Sequence, residues 1–92
     1  MGTFHQGKSE LHGITVVVET QDGQVYVGRC DDMDEQRIIL LDADMHQDGE
    51  DGRTTEQYLS RAQRFGVWKK FDRLVLPRLP GTTVRRLGEL GA

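Results

Sequence analysis

The chain is poor in cysteine and has no long apolar segment, and each scarcity excludes a class of protein. One cysteine, Cys30, excludes an internal disulfide; with the lack of a secretory leader, it predicts a reducing intracellular compartment. No apolar run approaches the roughly 20 residues that a membrane-spanning helix needs, so no membrane contact is expected. A chain of 92 residues buries only a small core, and association with other subunits is the stabilising device left open.

The residue patterns of metal and catalytic sites are also missing. The three histidines are His5, His12 and His46. None lies at a short fixed spacing from another histidine or from Cys30, as convergent metal ligands would. No serine or cysteine occupies a nucleophile turn, the glycines form no phosphate loop, and the acidic run at 31–35 lacks calcium-loop spacing. We therefore expect no catalytic residue, no metal site, no cofactor and no enzymatic activity.

Positive charge is scarce in the first two thirds of the chain. Residues 1–60 carry 13 acidic and 4 basic residues, a net charge of −9, whereas residues 61–92 carry 8 basic and 2 acidic residues, a net charge of +6. This asymmetry is consistent with one surface that meets phosphate. Charges that merely cover solvent-exposed faces would give the same distribution, and charge alone favours that interpretation.

Five short segments rich in β-branched and aromatic residues predict an all-β domain. The predicted strands are 14–20, 24–32, 37–45, 65–68 and 71–76. Asp22-Gly23 between the first two predicts a tight hairpin turn. Gly28 inside the second indicates a sharp bend or a close approach of backbones. Five strands at this spacing describe a small barrel or a strongly bent sheet.

Other segments have more than one interpretation. Ser9 can cap a short N-terminal helical turn. Residues 46–60 form either a long loop or a hairpin turn that leads early into the next strand, and residues 82–90 form either a short helix or a loose tail. The predicted boundaries are an N-terminal segment at 1–13, the domain at 14–77 and a C-terminal tail at 78–92.

Polar and basic residues fall in two of the predicted connections. Gln36 and Arg37 follow the acidic connection between the second and third strands, and Lys69-Lys70 lies between the last two. In a bent five-stranded sheet these connections can lie at one end, where they would form a cluster suited to phosphate and base edges. The alternative is two independent exposed turns.

The segment from Thr15 to Leu41 resembles the first motif of the Sm and like-Sm family of RNA-associated ring proteins. The matching elements are a strand at 16–18, Asp22-Gly23, Tyr26, Gly28, Asp34 and a strand at 39–41. A second segment resembles the second motif of the family. It is Trp68-Lys69-Lys70-Phe71-Asp72 followed by Leu74-Val75-Leu76, with Lys69 in the place of an arginine and Lys70 where glycine is usual. A rival register places Arg61-Ala62-Gln63 there. Within the family, the long fourth loop looks most like the Sm B type.

The resemblance covers about residues 14–77 and implies a five-stranded, strongly bent Sm-like barrel. It implies a nuclear, heteromeric ring at the core of a spliceosomal ribonucleoprotein, which binds U-rich single-stranded small nuclear RNA in pre-mRNA splicing. Other Sm or like-Sm subunits would pair with edge strands at about residues 65–76. The implied RNA-binding residues are Asp34, Gln36, Arg37, Lys69 and Lys70.

The chain departs from the family where Met-Asn is usual after the aspartate. Arg37-Ile38 stands there instead, so the base contact that the asparagine makes in the family is absent. Arg37 could stack on a base or pair with phosphate in its place. Two alternatives remain: a like-Sm ring subunit in RNA processing or decay, and a structural ring or adaptor subunit with little direct RNA contact.

Overall fold

Residues 11–90, the part of the chain that the structure describes, form one five-stranded antiparallel sheet and one α-helix. The structure is a computed structural model. The elements in chain order are β1 (Thr15–Glu19), β2 (Gln24–Met33), β3 (Arg37–Gln47), α1 (Thr55–Phe65), β4 (Phe71–Pro77) and β5 (Thr83–Arg86), with 3₁₀ turns at Glu50–Gly52 and Leu87–Glu89. The prediction of a small five-stranded β domain is confirmed, but the expectation that the domain is all-β is wrong, because the chain also contains α1. Ser9, on which the predicted N-terminal turn depends, lies outside the described residues.

The turn between β1 and β2 is the one that Asp22-Gly23 predicts. Gly23 has a φ of 88°, in the left-handed region that a side chain disfavours. The backbone N–H of Thr20 donates to the Gln24 carbonyl at 2.9 Å and closes the hairpin. β1 and β2 then pair in register from Glu19 and Val25 onward.

The pairing of the long central strands is interrupted at Gly28, and an interruption of this kind bends a strand. The register between β2 and β3 shifts after Val27 and again after Cys30. A Cβ added to Gly28 would lie 2.9 Å from the Cβ of Ala43 and 3.0 Å from its Cα. No side chain fits in that space, so the predicted close approach of backbones is confirmed.

The core lies on both faces of the sheet because successive residues of a strand point to opposite sides. One cluster contains Val16, Val18, Cys30, Ile38, Leu40, Ala43 and Leu76. The cluster on the other face contains Val17, Val25, Val27 and Leu87, and α1 covers it with Leu59 and Ala62. β3 is buried on both faces at its start, since the consecutive residues Ile38, Ile39 and Leu40 are all buried.

The predicted positions of the last two strands are wrong. Residues 65–68 contain the end of α1 and the connection after it, and the 71–76 segment belongs to the fourth strand, not the fifth. The fifth strand is β5, which pairs with β1 in the region predicted as a C-terminal tail. The prediction failed because residues 55–65 form α1. The Thr54 side chain accepts from the Gln57 backbone N–H and the Gln57 side chain accepts from the Thr54 backbone N–H, a reciprocal cap that starts a helix.

The sheet does not close into a barrel. Its order is β4-β3-β2-β1-β5, so β4 and β5 are the two outer strands. Within the described residues, neither has a second partner strand. Two unpaired edges therefore lie on one small domain.

Candidate nucleic-acid interface

The connection between β2 and β3 is organised around the carboxylate of Asp34. Its Oδ1 accepts the backbone N–H groups of Gln36 at 2.8 Å and Arg37 at 2.9 Å. The Asp34 N–H in turn donates to the Arg37 carbonyl at 3.0 Å. The aspartate thus fixes a tight turn on which the polar side chains of Glu35, Gln36 and Arg37 are all exposed.

These backbone hydrogen bonds have an electrostatic consequence. The N–H groups of Gln36 and then Arg37 stabilise the ionised carboxylate and lower the pKa of Asp34 below its ordinary value, with smaller contributions from the Arg37 and Arg78 guanidinium groups. At neutral pH the connection therefore combines a fixed anion with nearby cations. A polyanionic ligand would therefore contact the cations that extend beyond the Asp34 carboxylate.

Arg78 joins this connection to the one that follows β4. Its backbone N–H donates to the Gln36 carbonyl at 2.9 Å, and its Nη1 donates to the Asp34 carbonyl at 2.9 Å. The connection between β2 and β3 and the start of the connection between β4 and β5 therefore lie side by side. In the described part of the chain, neither Arg37 nor Arg78 forms an ion pair with a carboxylate.

Lys69 and Lys70 lie elsewhere, and the expectation that they share one end with Arg37 is wrong. They precede β4, and the Lys70 N–H donates to the Ala43 carbonyl, whereas Arg37 pairs with Pro77 at the opposite end of that strand. The six strand positions between Arg37 and Ala43 span about 20 Å. The error follows directly from the misplaced last two strands.

Both lysines also have carboxylate partners. Lys69 Nζ lies 2.9 Å from Asp72 and 3.9 Å from Asp42. Lys70 Nζ lies 3.5 Å from the buried Asp44 and donates to the Met45 carbonyl at 3.3 Å. Of the five sequence-predicted site residues, Asp34, Gln36 and Arg37 are brought together and the lysines are not.

The residue that sequence reasoning missed is Arg78. It lies in the segment predicted as a tail, immediately after Pro77. The signal available in the sequence is Pro80-Gly81, a turn dipeptide followed by the β-branched Thr82, Thr83 and Val84. A fifth strand placed there puts Arg78 in the connection beside Asp34.

The connection after β4 also borders an apolar groove. Pro77, Leu79 and Pro80 line one side of a cavity of about 570 Å³, and Tyr26 and the β1–β2 turn line the other. Leu79 is 61% exposed although it is a large apolar side chain. The residues on either side of Arg78, Pro77 and Leu79, therefore line an apolar groove.

Two further properties of the described residues bear on the site. No group of three or more histidine, cysteine or acidic residues is placed to hold a metal ion within 11–90. In that same part of the chain, no helix is long and apolar enough to cross a membrane.

The lowered pKa of Asp34 gives a pH prediction. We expect the Asp34 carboxyl to titrate below the ordinary value of about 3.9 in an NMR titration that follows its carboxyl carbon. A folded-state pKa below the unfolded one means that the stabilisation is present above the unfolded value and is lost as pH falls through the folded value.

The control for this prediction is Asp34→Asn, which keeps an oxygen that can accept both N–H groups but cannot titrate. It should remove that step from the acid limb of the stability curve while leaving the connection ordered at neutral pH. An Asp34 carboxyl that titrates at or above the ordinary value would mean that the hydrogen bonds to Gln36 and Arg37 do not form in solution.

Comparison with known proteins adds no relative. A scan against protein-family models, a search of curated proteins and a search of solved structures each returned no match.

Proposed function

We propose that the protein is a subunit of a ring of Sm-type domains that holds single-stranded RNA at the connections joined by Arg78. The observation that carries the proposal is the pair of hydrogen bonds from Arg78 to the Asp34 turn. They bring Arg37, Gln36 and Arg78 together at one end of the sheet. The narrower assignment to the spliceosomal core stays a prediction from the resemblance.

The two free edges support assembly into a ring. An exposed edge strand offers unpaired N–H and C=O groups that pair readily with another chain. Because β4 and β5 are different edges, joining β5 of one subunit to β4 of the next is a head-to-tail contact, which closes into a ring when the rotation permits. The bend at Gly28 supplies curvature between these edges.

The chemistry of the connections supports RNA as the ligand. Arg37 and Arg78 offer planar guanidinium groups that bind phosphate in a bidentate manner or stack on bases. The exposed Gln36 amide has both a donor and an acceptor for base edges.

The test is a double substitution, Arg37→Ala with Arg78→Ala, measured with a labelled U-rich single-stranded RNA. We expect at least about a tenfold weaker binding at moderate salt, since each substitution removes a charge-assisted interaction with phosphate. Between about 50 and 200 mM salt, the slope of log K against log salt should fall by about one for each phosphate that is no longer neutralised.

A matched control is Arg29→Ala with Lys69→Ala. It also removes two positive charges, but both are already paired with Asp42, at 3.2 Å and 3.9 Å. This control should bind RNA nearly as well as the unaltered protein. Equal losses of affinity in the two double variants would contradict the assigned site, and a ring that assembles but retains no RNA would support the adaptor alternative.

A further inference from the structure

The end of α1 and the connection after it form an unusually basic and aromatic surface. Residues 61–70 contain four basic side chains and no acidic one. Phe65 is 70% exposed and Trp68 is 80% exposed, although both are large apolar side chains. We call the surface formed by Arg61, Arg64, Phe65 and Trp68 the α1–β4 surface. It lies at the Phe71 end of β4, opposite Arg78.

Within residues 11–90, Arg61 and Arg64 have no carboxylate partner. The guanidinium carbons of Arg61 and Arg64 lie 5.5 Å and 5.4 Å from the centre of the Phe65 ring. Neither forms an ion pair among the described residues, whereas the neighbouring Lys69 and Lys70 do. The unbalanced positive charge of the surface therefore resides on planar groups that can also stack.

A polar cleft lies beneath Trp68, between α1 and β3. Its volume is about 320 Å³. Trp68 and Arg61 line it together with the acidic Asp44, Glu50 and Asp51. Packing and a hydrogen bond hold the residues that line it. The ring centres of His46 and Tyr58 lie 4.4 Å apart with an interplanar angle of 5°, and the Tyr58 hydroxyl donates to the buried Asp44 at 2.8 Å. Burial, followed by the hydrogen bond to Asp44, raises the pKa of Tyr58, so the hydroxyl keeps its proton.

This combination selects the kind of ligand. Unpaired guanidinium groups need an anion, and an indole that contributes almost nothing to the core offers its faces to a flat partner. Single-stranded nucleic acid has both properties, because its bases stack on aromatic side chains while its phosphates pair with arginine. An acidic protein partner or an anionic membrane would also meet this charge, and Trp68 fluorescence distinguishes each of them from RNA.

We propose that the α1–β4 surface is a second contact for single-stranded RNA, at which a base stacks on Trp68 and the flanking phosphates pair with Arg61 and Arg64. This inference rests on the proposed function in taking RNA as the ligand, but it uses none of the residues at the Asp34 turn. An RNA strand held at that turn would then continue along the outside of the subunit, past α1.

Trp68 is the only tryptophan in the chain, so its fluorescence reports on this contact directly. We expect an unstructured RNA of about 12 nucleotides to quench the emission, because a stacked base shields the indole. Trp68→Ala should weaken binding of labelled RNA about tenfold, and Arg61→Ala with Arg64→Ala by a similar factor. Trp68→Phe should recover most of the affinity, since it restores a stacking face.

Lys69→Ala is the matched control in the same segment. It removes one positive charge next to Trp68, but one that Asp72 already neutralises at 2.9 Å. It should change RNA affinity less than twofold, as expected for a cation that is already paired. An equal effect of Lys69→Ala and the arginine variants would overturn the proposal, because only non-specific charge would then matter.

Two comparisons separate this inference from the proposed function. RNA that binds without quenching Trp68, and whose affinity falls in Arg37→Ala/Arg78→Ala, overturns the second contact and leaves the proposed function standing. Quenching that persists in that double variant with an unchanged apparent Kd supports the second contact and contradicts the Asp34 site. Emission that responds only to phosphatidylserine vesicles, or only to protein concentration, overturns the second contact in favour of a membrane or a subunit interface.

Discussion

Replacing Val75 with proline is expected to block the proposed assembly through β4 while leaving the domain folded. Val75 lies in the middle of β4, an edge strand with β3 on one side and, among the described residues, no partner on the other. Its side chain is 43% exposed, so little packing is removed. Proline is tolerated on an edge strand when the missing N–H faces away from the sheet.

The register shows that this condition holds. Antiparallel partners alternate between hydrogen-bonded and non-hydrogen-bonded pairs. The N–H of Arg78 donates to Gln36, and β4 pairs with β3 in constant register from Pro77 back to Arg73. The N–H groups of Leu76 and Leu74 therefore point to β3, and those of Val75 and Arg73 point outward. A proline at position 75 deletes a donor only at the free edge.

Native mass spectrometry or light scattering at several protein concentrations measures the effect. The unaltered protein should form a closed oligomer, and Val75→Pro should remain a monomer with an unchanged circular dichroism spectrum. Val75→Thr is the control, because it keeps both the N–H and the branched side chain and should assemble normally. A monomeric unaltered protein, or assembly that survives Val75→Pro, contradicts self-association through β4.

A methyl group at position 28 is expected to destabilise the fold strongly. The Cβ of Gly28→Ala would lie 2.9 Å from the Ala43 Cβ, 3.0 Å from its Cα and 3.1 Å from the Leu41 carbonyl oxygen. Two of these atoms belong to the backbone of β3, so relief requires the two central strands to separate. Overpacking of this kind costs about 1–3 kcal/mol, and each kcal/mol lowers Tm by about 4–8 °C in a domain of this size.

Urea unfolding at one fixed protein concentration measures the destabilisation without confusing it with dissociation. Gly88→Ala is the control, since nothing lies within 4 Å of a Cβ built there. It should change the free energy of unfolding by less than about 0.5 kcal/mol, as is usual for surface substitutions. Equal stability of Gly28→Ala and Gly88→Ala would mean that β2 and β3 approach less closely in solution.

The first half of the fold is predictable because its signals are local. Asp22-Gly23 specifies a turn by backbone conformation alone, and the β-branched run in β1 admits few other structures. The close approach at Gly28 is also readable, because a glycine weakens a strand interior and usually marks a bend or a neighbouring backbone. These elements require no knowledge of what packs against them.

The second half is harder to predict because its helix signal lies within a polar segment. Thr54 and Gln57 form a capping pair in sequence, and Leu59 and Ala62 have helical spacing. Residues 46–60 are mostly polar, so the segment looks like a loop and neither the capping pair nor the helical spacing stands out. When residues 65–68 are assigned to the fourth strand, β4 is counted as the fifth strand and β5 is left in the predicted tail.

The error in the strand positions affects only part of the predicted site. Asp34, Gln36 and Arg37 lie on a connection between two correctly placed strands, so their proximity is predictable. Arg78 reaches them only because β4 runs back along β3, a pairing between segments that are far apart in the sequence. Contacts between such distant segments depend on the correct strand count, which periodicity alone does not supply.

Pro77 removes a hydrogen-bond donor from the end of the free edge of β4. It is the last residue of β4, and by the same alternation its missing N–H faces outward, directly after the donors of Arg73 and Val75. A neighbouring strand that slid toward Arg78 would find no donor there. In the proposed ring, the proline would limit the docking of an incoming strand to one end of β4 and keep it clear of the Arg78 turn. It would act as a spacer between the joint that links subunits and the surface that meets the ligand.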